Sequence, residues 1–511
     1  MTTAETMLAS EFSTLPDLIA AHARDRAGRV AVADEAGSLD YAMLDDRMNR
    51  VAAALQRGGV STGQAIAIVA APSTDYAAVF LGALRAGCVA APIAPSATPA
   101  SIAAMIADCA APIVFLDADN AAVLSSESVT AKMIRFDTDF AEWLAPAGTI
   151  PTPVTIDPGH GFNIIYSSGT TGTPKGIVQS HAMRWSHISR NAAAGFGDAV
   201  TMISTPLYSN TTLVSFLPTL GWGGTVVLMK KFDARRYLEL AEQHRATHTM
   251  LVPVQYQRIM ALTDFDTFDL ASFRLKTSTS APFSAALKAD VLARWPGVLI
   301  EYYGMTEGGA STALNATEFP DKLHTVGRPL PGHEMKLIDD DGNEVAPGEM
   351  GEVVGRGPTM MTGYFGREQA TRDAEWHDAD GNHYIRHGDV ARFDEDGFLI
   401  LMDRKKDLII SGGFNIYPTD LEAVLAQHEA VGDGAVVGIA SEKWGETPVG
   451  FYVARPGYET VDAGDILAWT NDRLGKTQRL AQLHRIEDMP RSAIGKILKR
   501  ELRESLAETT V

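Results

Sequence analysis

Residues 166–176 read YSSGTTGTPKG, a run of glycine and hydroxyl-bearing residues that ends in one lysine. Backbone amides without bulky side chains, together with Ser and Thr hydroxyls, can donate to phosphate oxygens, and Lys175 can supply positive charge. The common phosphate-binding loop places its lysine between Gly and Ser or Thr, whereas Lys175 lies between Pro174 and Gly176. A loop of this composition is often only a flexible surface loop, but the length of this string favours a phosphate site.

The segments around this loop alternate between helical and strand-like apolar spacing. Residues 41–59 have the spacing of an amphipathic helix, and the apolar run 65–70 is typical of a buried strand. The repeated strand–helix order predicts an α/β fold with mostly parallel sheets flanked by helices. Residues 330–402 alternate like antiparallel strands and predict a small β-rich part. Residues 407–511 predict a small α+β unit.

Length and composition restrict the class of protein. The chain has 511 residues, which is too long for one hydrophobic core and predicts at least two domains. Its 63 acidic and 44 basic residues give a net charge of −19, which argues against nucleic acid or anionic lipid as a partner. The longest apolar stretch, 77–95, contains Arg85 and two prolines and predicts buried elements, not a membrane span.

The termini and the cysteines carry no sign of export. The first ten residues, MTTAETMLAS, have no basic segment followed by an apolar one, so no secretory signal is expected. Cys88 and Cys109 lie among alanines and predict buried, reduced thiols. We therefore expect a cytoplasmic enzyme, either a monomer or a homodimer.

Three further segments share the polar character of the loop. They are YYGMTEGG at 302–309, HGDVARFDEDGFLILMDRKKDLIISGGFNIYPTDLE at 387–422, and MPRSAIGKILKREL at 489–502. Together with SSGTTGTPKG, and in this order, they resemble the motifs of the adenylate-forming superfamily, which includes acyl-CoA synthetases, peptide-synthetase adenylation domains and luciferases. The resemblance extends over nearly the whole chain.

This resemblance implies a domain organisation and a reaction. It implies a large N-terminal domain at 1–402, a hinge at 403–406 that includes Lys406, and a small mobile C-terminal domain at 407–511, with the active site between the two domains. A carboxylate attacks the α-phosphate of ATP, pyrophosphate leaves, and a thiol then takes the acyl group from the adenylate. Both partners in the first step are anions, so the site must supply positive charge where negative charge builds. ATP, Mg²⁺ and coenzyme A are the cofactors implied.

The same resemblance implies roles for individual residues of the nucleotide site. Thr306 contacts the α-phosphate, Glu307 holds Mg²⁺, Tyr303 stacks on adenine, and Asp389 and Arg404 bind the ribose hydroxyls. The implied ATP-binding residues are Ser167, Ser168, Gly169, Thr170, Thr171, Gly172, Thr173, Lys175, Ser280, Ala281, Tyr302, Tyr303, Gly304, Met305, Thr306, Asp389, Arg404 and Lys496. The implied catalytic residues are Lys496, Thr306, Glu307 and Lys175.

The C-terminal segments are similar to those that serve the thiol. In the family, rotation about the hinge removes the lysine matched by Lys496 and brings in the SGGFN loop. The implied CoA-binding residues are Gly412, Gly413, Trp444, Lys476 and Arg479, with Arg491 as a further candidate for the CoA phosphates. Trp444 alone is equally consistent with packing, and LGKTQRLAQL departs from the family's Arg-Pro-Lys pattern.

Two departures from the family pattern concern the acid and the ribose. Ser209 occupies the position after TPLY where His or an aromatic residue is common, and His387 replaces the Thr of Thr-Gly-Asp. A tolerated substitution is the simpler reading of His387. We expect an acyl pocket lined by Trp185, Tyr208, Ser209, Phe216, Gly308 and Gly309, in which the glycines, with Ala310, leave volume for an aryl or medium-chain acid. Arg258 is a weak candidate for binding a second carboxylate.

Four functions compete at this stage. The first is a free-standing carboxylic acid–CoA ligase, and the second is an enzyme that loads the phosphopantetheine of a carrier protein. The third is an oxygenase of the luciferase type, and the fourth is a non-catalytic nucleotide-binding protein. Joint retention of Lys175, Glu307, Asp389, Arg404 and Lys496 argues against the fourth. No carrier segment is apparent in the sequence, which favours CoA.

Overall fold

The structure is a computed structural model that describes residues 2–167, 175–190, 194–404, 407–411, 414–441, 444–475, 478–492 and 495–508. The side chains of residues 167, 403, 404, 414, 415, 507 and 508 are not among those described.

Helices occur along the whole chain. Their bounds are α1 Ala4–Leu8, α2 Leu15–Asp25, α3 Tyr41–Arg57, α4 Thr74–Arg85, α5 Pro99–Asp108, α6 Ala118–Leu124, α7 Phe140–Trp143, α8 His181–Ser189, α9 Asn210–Gly221, α10 Ala234–Gln243, α11 Pro253–Met260, α12 Ala285–Arg294, α13 Glu368–Asp373, α14 Pro418–Leu425, α15 Ala463–Asn471 and α16 Lys499–Glu508.

The strands alternate with these helices up to α12 and then follow one another more closely. Their bounds are β1 Val30–Asp34, β2 Gly37–Asp40, β3 Ala65–Val69, β4 Val89–Pro92, β5 Ile113–Leu116, β6 Lys132–Arg135, β7 Gly161–Ser167, β8 Lys175–Ser180, β9 Val200–Ile203, β10 Thr225–Leu228, β11 His248–Leu251, β12 Leu275–Ser278, β13 Val298–Tyr303, β14 Thr312–Asn315, β15 Arg328–Pro329, β16 Glu334–Ile338, β17 Gly351–Arg356, β18 Gly363–Tyr364, β19 Glu375–His377, β20 His383–Phe393, β21 Leu399–Arg404, β22 Ile409–Ser411, β23 Phe414–Ile416, β24 Val431–Ser441, β25 Gly445–Ala454 and β26 Gln482–Ile486.

Internal contacts divide the chain into two compact units. Unit 1 comprises Met1–Leu323, Pro329–Glu334 and Gly355–Ile385, and unit 2 comprises His324–Arg328, Met335–Val354 and Arg386–Val511. This division assigns residues 335–354 and 386–402 to unit 2, so it does not coincide with the expected boundary at residues 402–407, which remains a prediction. The expected hinge residue Lys406 lies outside the described residues.

Unit 1 contains two mostly parallel sheets. The first places its strands in the order β14-β13-β12-β11-β9-β10-β1-β2, and the second in the order β18-β8-β7-β4-β3-β5-β6. Pairs in the middle of both sheets are parallel, whereas β1–β2, β13–β14, β7–β8 and β8–β18 are antiparallel. The α/β class predicted from the strand–helix alternation is confirmed.

The main core of unit 1 joins helices to strands of both sheets. Buried side chains of α3 and α4 pack with Ile66 and Phe115 of the second sheet and with Val226 of the first. The two helices approach closely at Gly82, where an added Cβ would lie 2.6 Å from the Cβ of Val51. Helices that cover sheets in this way leave the strand ends as the places where loops can form a site.

Unit 2 is built mainly from antiparallel pairs. Strands β20 and β21 pair from Asp389 opposite Arg404 to Phe393 opposite Leu399. Another sheet of unit 2 has the order β23-β22-β25-β24, and β26 runs parallel to β25. Helices α14 and α15 pack on this sheet through an apolar cluster that includes Leu421 and Ile466. This α+β unit agrees with the expectation for the C-terminal part.

Candidate active site

The glycine-rich loop joins two antiparallel strands of unit 1. Ser167 at the end of β7 lies opposite Lys175 at the start of β8, and Tyr166 lies opposite Gly176. The common phosphate-binding loop joins a strand to a helix. The loop in this protein joins two strands, so it differs from the common loop in its connection as well as in its sequence. The loop itself, with the candidates Ser168, Gly169, Thr170, Thr171, Gly172 and Thr173, lies outside the described residues.

Tyr364 connects the lysine of this loop to the carboxylate of the YGMTE motif. Its hydroxyl donates to Oε1 of Glu307 at 2.9 Å. The Nζ of Lys175 lies 5.2 Å from the centroid of the Tyr364 ring, within the range of a cation–π contact. Burial, followed by the nearby Glu307 carboxylate, raises the pKa of Tyr364, so the phenol remains a donor. The structure therefore brings together two of the predicted catalytic residues, Lys175 and Glu307.

Backbone pairing fixes Tyr364 in this place. Strand β18 pairs with β8, with Tyr364 opposite Ile177, and the amide of Phe365 donates to the carbonyl of Gly176 at 2.8 Å. The amide of Tyr364 donates to Oγ1 of Thr371 at 2.9 Å. The sequence analysis missed Tyr364, because MTGYFG carries no charge that would mark it for chemistry.

The nucleotide candidates of unit 1 follow the ends of neighbouring parallel strands. Strands β12 and β13 pair in parallel, with Ser278 opposite Glu301. Ser280 and Ala281 follow β12, whereas Tyr302 and Tyr303 end β13 and lead into Gly304–Thr306. Ligands of α/β proteins commonly bind where the carboxyl ends of adjacent strands meet.

Ser280 is held in an unusual backbone conformation at this edge. Its φ is +83°, which is uncommon for a residue with a side chain, and its hydroxyl forms a hydrogen bond with that of Thr211. Strained residues of this kind concentrate at functional sites.

A buried polar network lies beneath the YGMTE motif. The Nε2 of Gln179 donates to the carbonyl of Thr306 at 2.8 Å, and the Nδ2 of Asn163 donates to Oε1 of Gln179 at 2.9 Å. The guanidinium of Arg184 donates to both amide side chains. All three polar side chains are fully buried, so the network fixes the main chain next to Glu307. Gln179 and Arg184 were also missed, because isolated amides and arginines carry no motif.

The two glycines after Glu307 are required by the conformation and close packing of the main chain. Gly308 and Gly309 have φ values of +81° and +83°, a region that favours glycine. A Cβ on Gly308 would lie 1.6 Å from the carbonyl oxygen of Thr359. At Gly308 the missing side chain therefore permits a close backbone contact and does not leave open volume, in contrast to our expectation.

The other acyl-pocket candidates lie in different surroundings. Ser209 caps the start of α9 by accepting from the amide of Thr211 at 3.3 Å, and Tyr208 is half-buried next to it. Phe216 and Trp185 are buried in the main core of unit 1. Arg258 is exposed on α11. The acyl pocket thus remains a prediction.

In unit 2 the two ribose candidates are cross-strand neighbours. Asp389 lies directly opposite Arg404 in the backbone register of the β20–β21 pair. His387, two residues before Asp389, is buried. The pairing fits a shared role for Asp389 and Arg404, which remains a prediction.

Lys496 is presented on a short turn in unit 2. The amide of Ser492 donates to the carbonyl of Lys496 at 2.8 Å, and the amide of Lys496 donates to the Ser492 hydroxyl at 3.2 Å. Arg491 braces the turn, because its Nη1 donates to the carbonyl of Gly495 at 2.7 Å and its Nη2 pairs with Asp433 at 2.6 Å. These contacts give Arg491 a structural role, whereas the sequence had suggested a CoA phosphate partner.

The CoA candidates are only partly described. Trp444 is 50% exposed at the turn between β24 and β25, which favours a surface role over core packing. Arg479 is also exposed. Gly412, Gly413 and Lys476 lie outside the described residues, so their role remains a prediction.

The residues around Glu307 fit a magnesium ion held mainly by nucleotide. Among the described residues, no cluster of three or more His, Cys, Asp and Glu side chains could hold a metal by itself. Mg²⁺ is commonly bound by one or two carboxylates together with substrate phosphates. Glu307 supplies one such carboxylate, and Tyr364 occupies only one of its two oxygens.

Comparison with known proteins defines the class. Residues 19–365 match the family model described as AMP-binding enzyme, and residues 420–496 match its C-terminal domain. The chain therefore belongs to the AMP-binding enzyme family. The resemblance to adenylate-forming enzymes and the expectation of an AMP-forming acid–thiol ligase are confirmed.

Individual relatives are similar over nearly their full length. The indoleacetate–CoA ligase of Aromatoleum aromaticum is 30% identical, with 97% of this chain and 99% of that protein covered. The fatty acid–[acyl-carrier-protein] ligase ScoC of Streptomyces coeruleorubidus is also 30% identical, with 97% and 96% covered. The structure of the amide bond synthetase McbA from Marinactinospora thermotolerans superposes with a TM-score of 0.85 at 28% identity, over 96% of this chain and 99% of that one. In the part of the chain that is described, no helix is long and apolar enough to cross a membrane.

Proposed function

We propose that this enzyme activates an apolar aryl or medium-chain carboxylic acid with ATP and transfers the acyl group to coenzyme A. In the first step a carboxylate oxygen bonds to the α-phosphorus, the bond to the β-phosphate oxygen breaks, and pyrophosphate leaves. In the second step the CoA thiolate bonds to the acyl carbon and AMP leaves. The thiol proton goes to solvent. A cytoplasmic location is part of this proposal.

The linked group Lys175–Tyr364–Glu307 carries the proposal. It places one cation and one carboxylate at the mouth of a glycine-rich loop, where the triphosphate of ATP requires both a charge partner and a metal ligand. Mg²⁺ held by Glu307 would neutralise charge on the leaving pyrophosphate. Tyr364 keeps the carboxylate oriented, and Gln179 holds the carbonyl of Thr306 from below.

Lys496 would act in the first step only. A lysine near the attacking carboxylate and the α-phosphate stabilises charge that moves from one to the other. The turn around Lys496 fixes its backbone through hydrogen bonds with Ser492.

A second candidate function differs from the first only in the thiol that accepts the acyl group. Relatives include a CoA ligase and a carrier-protein ligase at equal identity, so loading of a carrier phosphopantetheine in trans is the alternative. We favour CoA because the side chain of Trp444 is 50% exposed, and bases stack on accessible aromatic side chains.

The deciding experiment is pyrophosphate release over a panel of acids, each with and without CoA. The panel contains acetate, fatty acids of increasing length, dicarboxylates, benzoates, cinnamates and arylacetates. Turnover that requires both one aryl or medium-chain acid and CoA would support the proposal. ATP–pyrophosphate exchange with an acid, but without CoA-dependent turnover, would favour carrier loading. Turnover with acetate alone would contradict the proposed substrate class.

A further inference from the structure

Asp108, the last residue of α5, accepts hydrogen bonds from two side chains that belong to different segments. Its Oδ2 accepts from the hydroxyl of Tyr166 at 2.9 Å, and its Oδ1 accepts from Nη2 of Arg367 at 3.0 Å. All three residues lie in unit 1, although Arg367 is more than 200 residues away in the sequence. We call Asp108, Tyr166 and Arg367 the Asp108 cluster.

Tyr166 connects the cluster to the glycine-rich loop. It lies near the end of β7, opposite Gly176, and Lys175 begins the paired strand β8. Its ring packs against the partner strand, since a Cβ on Gly176 would lie 3.2 Å from Cε1 of this ring. Burial, followed by the nearby Cys109 and Asp108, raises the pKa of Tyr166, so the phenol remains a donor. The bond to Asp108 therefore ties the strand that enters the loop to the end of α5.

Arg367 connects the cluster to the turn that carries Tyr364. The amide of Arg367 donates to the carbonyl of Tyr364 at 3.1 Å, and its own carbonyl accepts from Oγ1 of Thr371 at 3.1 Å. The same Oγ1 accepts from the amide of Tyr364 at 2.9 Å. These bonds close the turn from which the Tyr364 hydroxyl donates to Glu307. Through its guanidinium, Arg367 ties this turn to the same helix end as Tyr166.

The position of Asp108 is unfavourable for α5 itself. A carboxylate at the C-terminal end of a helix is repelled by the partial negative charge of the last carbonyls. The whole of α5 is described, and its last turn has no basic residue. The side chains of Asp108 and Arg367 are 25% and 36% exposed, so their ion pair adds little to the stability of the fold. The two segments that Asp108 joins gain more from this carboxylate than the helix that carries it.

We propose that Asp108 is a positioning residue for the triphosphate of ATP. It acts through Tyr166 on the strand before the glycine-rich loop, and through Arg367 on the turn that carries Tyr364. The inference rests on the proposed function, because it concerns the segments assigned there to the phosphates and to Mg²⁺. Holding both segments at one helix end before nucleotide arrives lowers the cost of ordering them on binding.

The test measures nucleotide binding to the intact enzyme in the absence of acid and CoA. The probe is Mn²⁺ with an ATP analogue that cannot be cleaved between the α- and β-phosphates, followed by electron paramagnetic resonance. Asp108→Ala should weaken binding about fivefold, within the range of a typical net hydrogen-bond contribution. Asp108→Asn keeps an acceptor for one of the two donors and should retain part of the affinity. It also provides the measurement if Asp108→Ala does not fold, and wild-type affinity in the variants that fold would overturn the inference.

Asp75→Ala is the matched control for a purely structural effect. Asp75 of α4 pairs with Arg47 of α3, and their side chains are 33% and 30% exposed, similar to those of the Asp108–Arg367 pair. Its loss should lower the melting temperature by a similar amount and leave nucleotide affinity unchanged. Equal weakening of nucleotide binding by Asp75→Ala and Asp108→Ala would mean that Asp108 acts only through general stability, and would contradict the inference.

A double-mutant cycle tests whether Asp108 acts through Arg367. Changes within one hydrogen-bonded network are not additive, whereas changes at distant, independent sites are. Asp108→Ala combined with Arg367→Met should therefore weaken nucleotide binding little more than the larger of the two single changes. Fully additive losses would show that the two residues act independently, and would contradict the inference.

Turnover separates this inference from the proposed function. In Asp108→Ala the KM for MgATP should rise by the same factor as the loss in binding, while the KM for the acid stays the same. Weaker nucleotide binding in this variant, with a wild-type enzyme that releases no pyrophosphate with any acid, would support the role of Asp108 and contradict the proposed reaction. Wild-type turnover as proposed, with an unchanged KM for MgATP in Asp108→Ala, would contradict this inference alone.

Discussion

Two lysines assigned to the reaction are held in opposite ways. Lys175 of unit 1 starts a strand, is partly buried, and has its ammonium over the ring of Tyr364. Lys496 of unit 2 is exposed, and its turn is stabilised by Ser492 and Arg491. A preorganised group costs no reorganisation when charge develops, whereas an exposed group can take part in one step and leave for another. The contrast therefore predicts that Lys175 serves nucleotide binding throughout and Lys496 serves one half-reaction.

The largest expected effect tests this division of labour directly. Lys496→Ala should lower the rate of adenylation by about 10³-fold or more, because it removes a donor from a transition state that gains charge. The same variant should convert supplied acyl adenylate and CoA to thioester at nearly the wild-type rate. Pyrophosphate release and thioester formation, measured separately, report the two steps.

Arg500→Ala is the control for this comparison. It removes an exposed cation four residues along the same segment, whose ion pair among the described residues is with Glu504. Neither half-reaction should change by more than about twofold, since exposed ion pairs contribute little. If Lys496→Ala lowered both half-reactions equally, the contrast between the two lysines would be wrong.

The next effect concerns the support of the exposed lysine. Arg491→Ala removes the bond to the Gly495 carbonyl and leaves Asp433 without its partner. We expect kcat for adenylation to fall about tenfold, consistent with the loss of a hydrogen bond to a charged group, while KM for the acid stays the same. Thioester formation should be nearly unchanged.

Arg491→Lys is the informative companion variant. Lysine keeps the charge near Asp433 but cannot bond both the carboxylate and the carbonyl with one planar fork. Partial recovery of kcat is expected. If Arg491→Ala instead raised KM for CoA without changing adenylation, Arg491 would be a CoA phosphate partner, as the sequence had suggested.

A smaller effect tests the preorganised group of Lys175, Tyr364 and Glu307 in unit 1. Tyr364→Phe keeps the ring near Lys175 and removes only the hydroxyl that donates to Glu307. The carboxylate loses its orientation, so the Mg²⁺ concentration that gives half-maximal activity should rise about fivefold, within the range of a typical net hydrogen-bond contribution. Binding of Mn²⁺ with a non-hydrolysable ATP analogue, followed by electron paramagnetic resonance, should weaken by the same factor. Tyr458→Phe, at a partly buried tyrosine outside the nucleotide candidates, is the aromatic control. Unchanged metal binding in Tyr364→Phe would show that the contact is structural only.

The sequence predicted much of this site but not its supports. Lys175, Glu307, Asp389 and Arg404 were found because long motifs surround them, and the strand–helix rhythm predicted the class of fold. Tyr364 and Arg184 were not found, because their roles depend on pairs that the fold creates: β18 with β8, and α8 with the start of β7. A tyrosine or an arginine in isolation has no spacing that distinguishes it from the surface or the core. Gly308 shows a third case, since the sequence reveals the glycine but only the carbonyl of Thr359 reveals why it is required.

The smallest expected effect is on the pH dependence of the free energy of unfolding, and it compares a buried histidine with an exposed one. His181 begins α8, is 3% exposed, and lies against Phe162, and burial lowers its pKa from 6.5 to about 4. In the unfolded chain His181 is protonated below about pH 6.5, whereas in the folded state it is protonated only below about pH 4. The free energy of unfolding therefore falls as the pH decreases through this interval. The slope is at most about 1.4 kcal/mol per pH unit for one group.

His181→Gln should reduce the difference in urea unfolding free energy between pH 7 and pH 5, whereas His377→Gln, at an exposed site, should not. An unchanged difference in His181→Gln would show that the region around the loop of Lys175 does not depend on this neutral histidine. A reduced difference would show that the preorganised side of the site loses stability in acid through its buried groups.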